Sequence, residues 1–163
     1  MVRMAYFAFF QTHLPFGILL WGHCGNQLPI FRIQKAAVRV ISGANFRAHC
    51  KPLFISNGIF TLSSLFILEC LMYTKANLQK FNIHSDTHSY QTRHRNDIDL
   101  TYLRLSKSMN GVNFYGPKFY NKLPTHIRNL EITKFKNKIR NFLISKAYYQ
   151  ISEFLDDGIV NNF

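Results

Sequence analysis

The stretch Leu62 to Leu78, LSSLFILECLMYTKANL, constrains the fold of this chain more than any other. Wound as a helix it is apolar on nearly every side, with Thr61 placed to cap its start, so it has to run through the centre of the folded chain. A helix buried all round needs other amphipathic elements to cover it, and 163 residues suffice for one domain with a real core. Glu69 is its odd member. A carboxylate in such surroundings is costly unless paired, so it is expected at the helix margin or against an Arg or Lys of a neighbour.

The covering elements are read from their periods. From Leu28 onward Ile30, Ile33, Ala37, Val40, Ile41 and Ala44 fall within one helical arc, with Arg32, Lys35 and Arg39 as a ridge on the opposite side. Thr133 begins a last helix with Phe135, Ile139, Phe142 and Leu143 inward and Lys134, Lys136, Lys138 and Arg140 outward. Between Lys80 and Gly116 the helical period fails. There LTYLRLS, Leu100 to Ser106, alternates apolar and polar, and GVNFYG, Gly111 to Gly116, is placed to pair with it as a hairpin across a turn at Ser108 to Gly111. Pro117 and Pro124 bracket a short aromatic helix, KFYNKL, and Thr125 caps a further turn.

The expected fold is therefore mainly α, a helical bundle with a short β-hairpin and irregular loops around residues 80–116. Residues 1–80 form the first bundle, 81–116 a loop-rich connector, 117–155 the C-terminal basic helices and 156–163 an acidic tail.

Charge narrows the function. Twenty Lys and Arg stand against eight Asp and Glu, a net charge of +12, which points to a polyanionic partner. Residues 1–68 contain six cations and no acid, and residues 104–146 carry a net +9. The ridge Arg32, Lys35 and Arg39 has the spacing to follow a phosphate backbone.

Residues 1–21 raise the question of a membrane. Arg3 and AYFAFF imitate the start of a signal peptide, but no small-x-small cleavage site follows. Gln11, Thr12, His13 and Pro15 split the segment into two apolar runs, each well short of the roughly 20 residues a spanning helix needs. It reads as a buried core helix kinked near Pro15. The expected location is intracellular, in nucleus or cytoplasm, without secretion or a transmembrane span.

Catalytic chemistry finds little footing. No Gly-rich phosphate loop, HExxH or Gly-x-Ser-x-Gly element occurs, and His84, His88 and His94 lie in a loop at irregular spacing. Cys24, Cys50 and Cys70 are an odd set without a CxxC pair and read as buried thiols in a reducing compartment. No metal site is expected from them or from His23 and His49. FLDD, Phe154 to Asp157, spells the aromatic-x-Asp-Asp of polymerase metal sites, but it lacks apolar strands around it and a third Asp upstream. It reads as an acidic helix end or a frayed tail.

Five blocks nevertheless fall in a familiar order. THLPFGILLWG, Thr12 to Gly22, resembles the S-H-L-x-Y-G-I-x-x-W-G block that follows the palm in reverse transcriptases of Jockey-type insect non-LTR retrotransposons. PIFRIQKAAVRVISGANFRAHCKPLF, Pro29 to Phe54, resembles the next, in which an I-x-x-L-Q-K-K-A-x-R-x-I helix leads to C-x-P-L-F. HSYQTR, His88 to Arg93, is similar to H-x-Y-x-T-R. FYNKLPTHIRNL and TKFKNKIRNFLISKAYYQISEFL resemble the closing N-x-L-P and F-K-x-x-L-x-x-L blocks. Gln11, Thr12 and Phe16 depart mildly from the pattern.

The resemblance implies the thumb and following region of such an enzyme, without its fingers, palm or endonuclease. The aspartates that hold the parent's magnesium lie upstream of this stretch, so no catalytic residue and no cofactor is expected within it. Residues 1–80 are then thumb-like. The implied partners are RNA, DNA or an RNA–DNA hybrid, gripped through phosphates by Arg32, Lys35, Arg39, Arg93, Lys134, Lys136, Lys138 and Arg140. The missing palm, or self-association, would cover the remaining apolar surface. Two other readings stand beside it: a basic protein attached to a membrane surface by residues 1–21, and a gene relic without function.

Overall fold

Helix α5, Leu62–Ala76, is the axis of the molecule. The computed structural model describes residues 2–24, 27–87, 95–100 and 111–158, and in it every residue from Leu62 to Leu68 is buried, as are Cys70, Leu71 and Thr74. Thr61 caps the helix as its sequence position implies: its hydroxyl accepts the Ser64 N–H at 3.2 Å and donates to the Tyr148 carbonyl at 2.5 Å. That second bond ties the start of α5 to the distant C-terminal region. Glu69 is the one position between Leu62 and Leu71 that is not fully buried, at the margin where a carboxylate keeps contact with water. Burial, with Glu69 beside it, pushes the Cys70 thiol far up, which suits an inert core sulfur.

Three helices cover α5 from the C-terminal half: α7, Val112–Lys122, α9, Ile132–Lys146, and the short α10, Ile151–Asp156. Phe66 of α5, Phe119 of α7 and Phe154 of α10 meet edge to face with centroids 6.3 and 5.3 Å apart. At Gly116 α5 and α7 touch so closely that a Cβ would stand 2.2 Å from Thr74 Oγ1. Between α7 and α9 lies one turn, α8, Thr125–Arg128, whose last carbonyl accepts the Lys75 ammonium.

Helix α7 corrects the expected hairpin. Gly111 to Gly116 is the approach to and first turn of a helix, because Tyr115 and Phe119, four apart, stack at 5.6 Å and pack on Phe66. Pro117 sits inside the helix rather than before it, in the second turn, where it withholds the one backbone bond its N–H would have made to Asn113. Of the proposed partner strand only Leu100 is among the described residues. The extended pairing found among the described residues is one antiparallel bridge, Ile83 with Ile98, and it is followed by a one-turn helix, α6, His84–Thr87, where a loop was expected at His84. Thr125 opens α8 without capping it, and α9 starts at Ile132, one residue before Thr133.

From the N-terminal half come α3, Gln27–Ile41, and α4, Cys50–Asn57, the latter ended by Gly58 in the left-handed region at φ 62°. Before them the chain breaks up instead of forming one kinked core helix. α1, Val2–Ala5, runs into a π-helical segment, Tyr6–Gln11, and a turn leads to α2, Ile18–Trp21. Thr12 Oγ1 donates back to the Ala8 carbonyl, Pro15 offers no N–H, and Gly17 adopts φ 62°, which together end any helical run. Tyr6, Leu14 and Ile18 are buried, whereas Met4, Phe9, Phe16 and Leu20 are 71–86% exposed. Cys24 is also exposed, against the expectation of three buried thiols.

No single helix among the described residues is long and apolar enough to cross a membrane. The pair α4 and α5 reaches that length together, but it is bent by 48° and α5 is enclosed by protein.

Candidate nucleic-acid interface

The phase of α3 decides where its cations point. Its inward residues are Phe31, Gln34 and Val38, with Ile30, Ala37 and Ile41 partly covered, while Ile33 and Val40 are 59% and 69% exposed. The helix is thus rotated by roughly a quarter turn from the arc its apolar residues suggest. The cause is Gln34, which is fully buried and satisfied on both ends. Its amide nitrogen donates to Tyr6 Oη at 3.1 Å and to the Phe60 carbonyl at 2.8 Å, and its Oε1 accepts the Leu62 N–H at 3.0 Å. The Leu62 N–H belongs to the first turn of α5 and has no partner within that helix. Burial also pushes the Tyr6 phenol up to about 12, so it remains a neutral acceptor for Gln34.

The rotation turns Lys35 and Arg39 toward neighbouring elements. Lys35 Nζ lies over Phe31 at 4.9 Å and Tyr149 at 5.7 Å, and Arg39 Nε donates to the Ala48 carbonyl at 3.0 Å. Arg32 is exposed. The ridge therefore consists of one exposed cation and two that are already engaged, with Lys35 held over the Phe31 and Tyr149 rings. Arg93 lies outside the described residues.

On α9 the expected arrangement is found. Phe135, Ile139, Phe142 and Leu143 are buried and Lys134, Lys136, Lys138 and Arg140 are exposed. Spacing splits the four cations into pairs on either flank of the buried stripe, Lys134 with Lys138 and Lys136 with Arg140. The guanidinium of Arg140 lies 5.4 Å from the centre of the Phe60 ring.

Helix α4 lies in contact with both α3 and α9 and supplies what the sequence reading missed. Lys51 Nζ lies 6.0 Å from the centre of the same Tyr149 ring that carries Lys35. His49, Lys51, Pro52, Ile55 and Ser56 face Ser145 and Lys146 of α9 across an open groove of about 620 Å³. None of α3, α4 or α9 contains a carboxylate. The acids near the groove come from the chain end: Glu153 lies 3.8 Å from Lys51, and Asp157 lies 3.2 Å from Lys146. The sequence signal for the groove was Lys51 beside His49 and Cys50, hidden because α4 has no one-sided pattern.

FLDD ends α10, and Asp157 is spoken for. Its carboxylate accepts the Tyr148 hydroxyl at 2.5 Å as well as pairing with Lys146. Those contacts, the Tyr148 bond first, hold its pKa below the ordinary 3.8. Asp157 is thus more than a charge on a tail. Among the described residues no three His, Cys, Asp or Glu side chains gather as a ligand set for a metal.

Comparison with family models, curated proteins and solved structures gave no match.

Proposed function

We propose that this chain binds the sugar-phosphate backbone of nucleic acid without reading its sequence, and that it derives from the thumb and C-terminal region of a non-LTR retrotransposon reverse transcriptase. The observation that carries the binding is the set of three acid-free helices, α3, α4 and α9, whose Lys35, Lys51 and Lys146 gather around Tyr149 and the groove, while Lys134 and Lys138 stand exposed on one flank of α9 and Lys136 on the other. Such a surface offers ammonium groups at several positions along a phosphate track. The derivation rests on the order of the five sequence blocks. On this reading the chain carries out no polymerisation of its own.

The test is a fluorescence titration of a short RNA–DNA hybrid at several salt concentrations. With about six phosphates neutralised, the plot of log K against log salt should have a slope near −0.9 per phosphate. Lys134→Ala, Lys136→Ala and Lys138→Ala combined should flatten it by roughly 2 to 3, and Lys51→Ala with Lys146→Ala by roughly 1 to 2. Unchanged slopes in folded variants would sink the proposal.

A second reading is favoured by one observation, the exposure of Met4, Phe9, Phe16 and Leu20 in the N-terminal segment. Such a surface can lie in a bilayer interface. Flotation with anionic liposomes that survives high salt would favour attachment there; loss of flotation with salt would not.

A further inference from the structure

A second cavity, of about 330 Å³, opens where the starts of three helices converge: Gln27, Leu28 and Phe31 of α3, Leu62 and Ser63 of α5, and Gln150, Ile151 and Ser152 at the head of α10, with Tyr149 beside them. Its size is that of a small-molecule site. Its walls are chiefly apolar, and they contain a mismatch with ordinary core chemistry. Tyr149 Oη and Gln27 Oε1 are both buried from water and neither has a hydrogen-bond partner among the described residues. Buried polar atoms are nearly always paired, and each orphan costs about 1–3 kcal/mol. Here two orphans of opposite kind, one donor and one acceptor, belong to residues that line one cavity.

Other polar groups of the wall are already used. Ser63 Oγ donates to the Tyr149 carbonyl at 2.8 Å, Ser152 Oγ donates to Gln150 Oε1 at 3.3 Å, and the Tyr149 N–H donates to Glu153 Oε2 at 3.3 Å. Burial pushes the Tyr149 phenol up to about 12, so at neutral pH it is a donor and not an anion.

We propose that this cavity is a binding site for a small flat molecule with an apolar body and one amide-type edge, a carbonyl beside an N–H. The ligand's carbonyl accepts from Tyr149 Oη and its N–H donates to Gln27 Oε1, each side chain turning toward the cavity to gain the partner it lacks. The apolar body lies against Leu28, Phe31, Leu62 and Ile151. A free aromatic amide and the edge of an unstacked pyrimidine base share this chemistry. The site shares the Phe31 and Tyr149 rings with the proposed basic face, since Lys35 and Lys51 lie over them, but its polar edge uses Tyr149 Oη and Gln27, and the salt dependence of hybrid binding, read separately from the methyl shifts, distinguishes failure of one proposal from failure of the other.

The probes are benzamide, which has the edge, toluene, which lacks it, and uridine, which carries it on a base. The methyl groups of Leu28, Leu62 and Ile151 report on occupancy by NMR of methyl-labelled full chain. Benzamide should shift those methyls and bind about fivefold or more tightly than toluene, and Tyr149→Phe or Gln27→Leu should each remove most of that preference. Ile151→Trp, which fills the cavity, should abolish all shifts, and it backs up the two polar variants should either unfold. Shifts with uridine as well as benzamide assign the edge to a nucleobase; shifts with benzamide alone assign it to a free small molecule. Equal binding of benzamide and toluene, or a preference untouched by Tyr149→Phe and Gln27→Leu, overturns the proposal.

Discussion

Helices α3 and α9 are each fifteen residues long, each is rich in cations and free of acids, and each lies against the same central assembly, yet they meet the core by different means. α9 buries an unbroken apolar stripe of Phe135, Ile139, Phe142 and Leu143. α3 buries Phe31 and Val38 around a glutamine. On α9 the hydrophobic effect alone sets the rotation, because apolar residues fall on one side and Lys and Arg fill the rest. On α3 apolar residues occupy more than half the circumference, so area alone leaves two rotations close in energy. The three hydrogen bonds of Gln34 select between them, with Ile33 and Val40 left in water as the consequence.

The largest test of that contrast is Gln34→Leu. It keeps the volume, but strands the Leu62 N–H and the Phe60 carbonyl and leaves the Tyr6 hydroxyl with only its bond to Gln11, so it should destabilise the chain by about 2–4 kcal/mol. Denaturant unfolding measures this. A neutral or stabilising outcome would mean that α3 can settle in its other rotation, with the glutamine no longer needed.

Gln34 also marks the limit of what the sequence shows. The central helix and its Thr61 cap, the inward face of α9 and the acidic end of α10 were legible, since in each a single local pattern agrees with the tertiary outcome. The phase of α3 was not, because a polar side chain reads as outward until its partners, 26 and 28 positions away, are known. The hairpin expected at Gly111 to Gly116 failed for a related reason. Gly and Pro at both ends punctuate like a strand, while the helical signal, Tyr115 four before Phe119, gains its weight only from contact with Phe66. Of the candidate site, the exposed cations of α9 could be read directly. The groove with Lys51 and Lys146 could not, since it exists only once α4 and α9 are side by side.

A middle-sized effect is expected at the chain end, where the α9 region is fastened by charge. Asp157→Asn should cost roughly 1 kcal/mol, by weakening the bond from Tyr148 and removing the pair with Lys146. The sign with pH follows from the depressed carboxyl. Its contribution is present above the ordinary value of 3.8 and is lost as the pH falls through the lower folded value. Wild type should therefore lose stability faster than Asp157→Asn on acidification below about pH 4, and unfolding curves at pH 3 and pH 6 measure the difference. Parallel losses in the two proteins would show that Tyr148 and Lys146 are not held by this carboxylate.

The smallest expected effect is the most discriminating for α3. Ile33 belongs to the apolar arc that periodicity alone would turn inward, and it is 59% exposed. If the glutamine sets the rotation, Ile33→Lys replaces one solvent-facing side chain by another of good helix propensity and should change stability by no more than about 0.5 kcal/mol. If hydrophobic area sets it, the same change drives a charge into the core and costs at least about 3 kcal/mol. Val38→Ala supplies the opposite arm, because Val38 is fully buried and its truncation should cost about 1–3 kcal/mol only in the rotation described here. A chain that tolerates Ile33→Lys and suffers from Val38→Ala has α3 phased by Gln34. The reverse pair of results would put Ile33 inside, turn Arg32, Lys35 and Arg39 back into a single outward ridge, and return that ridge to the candidate interface.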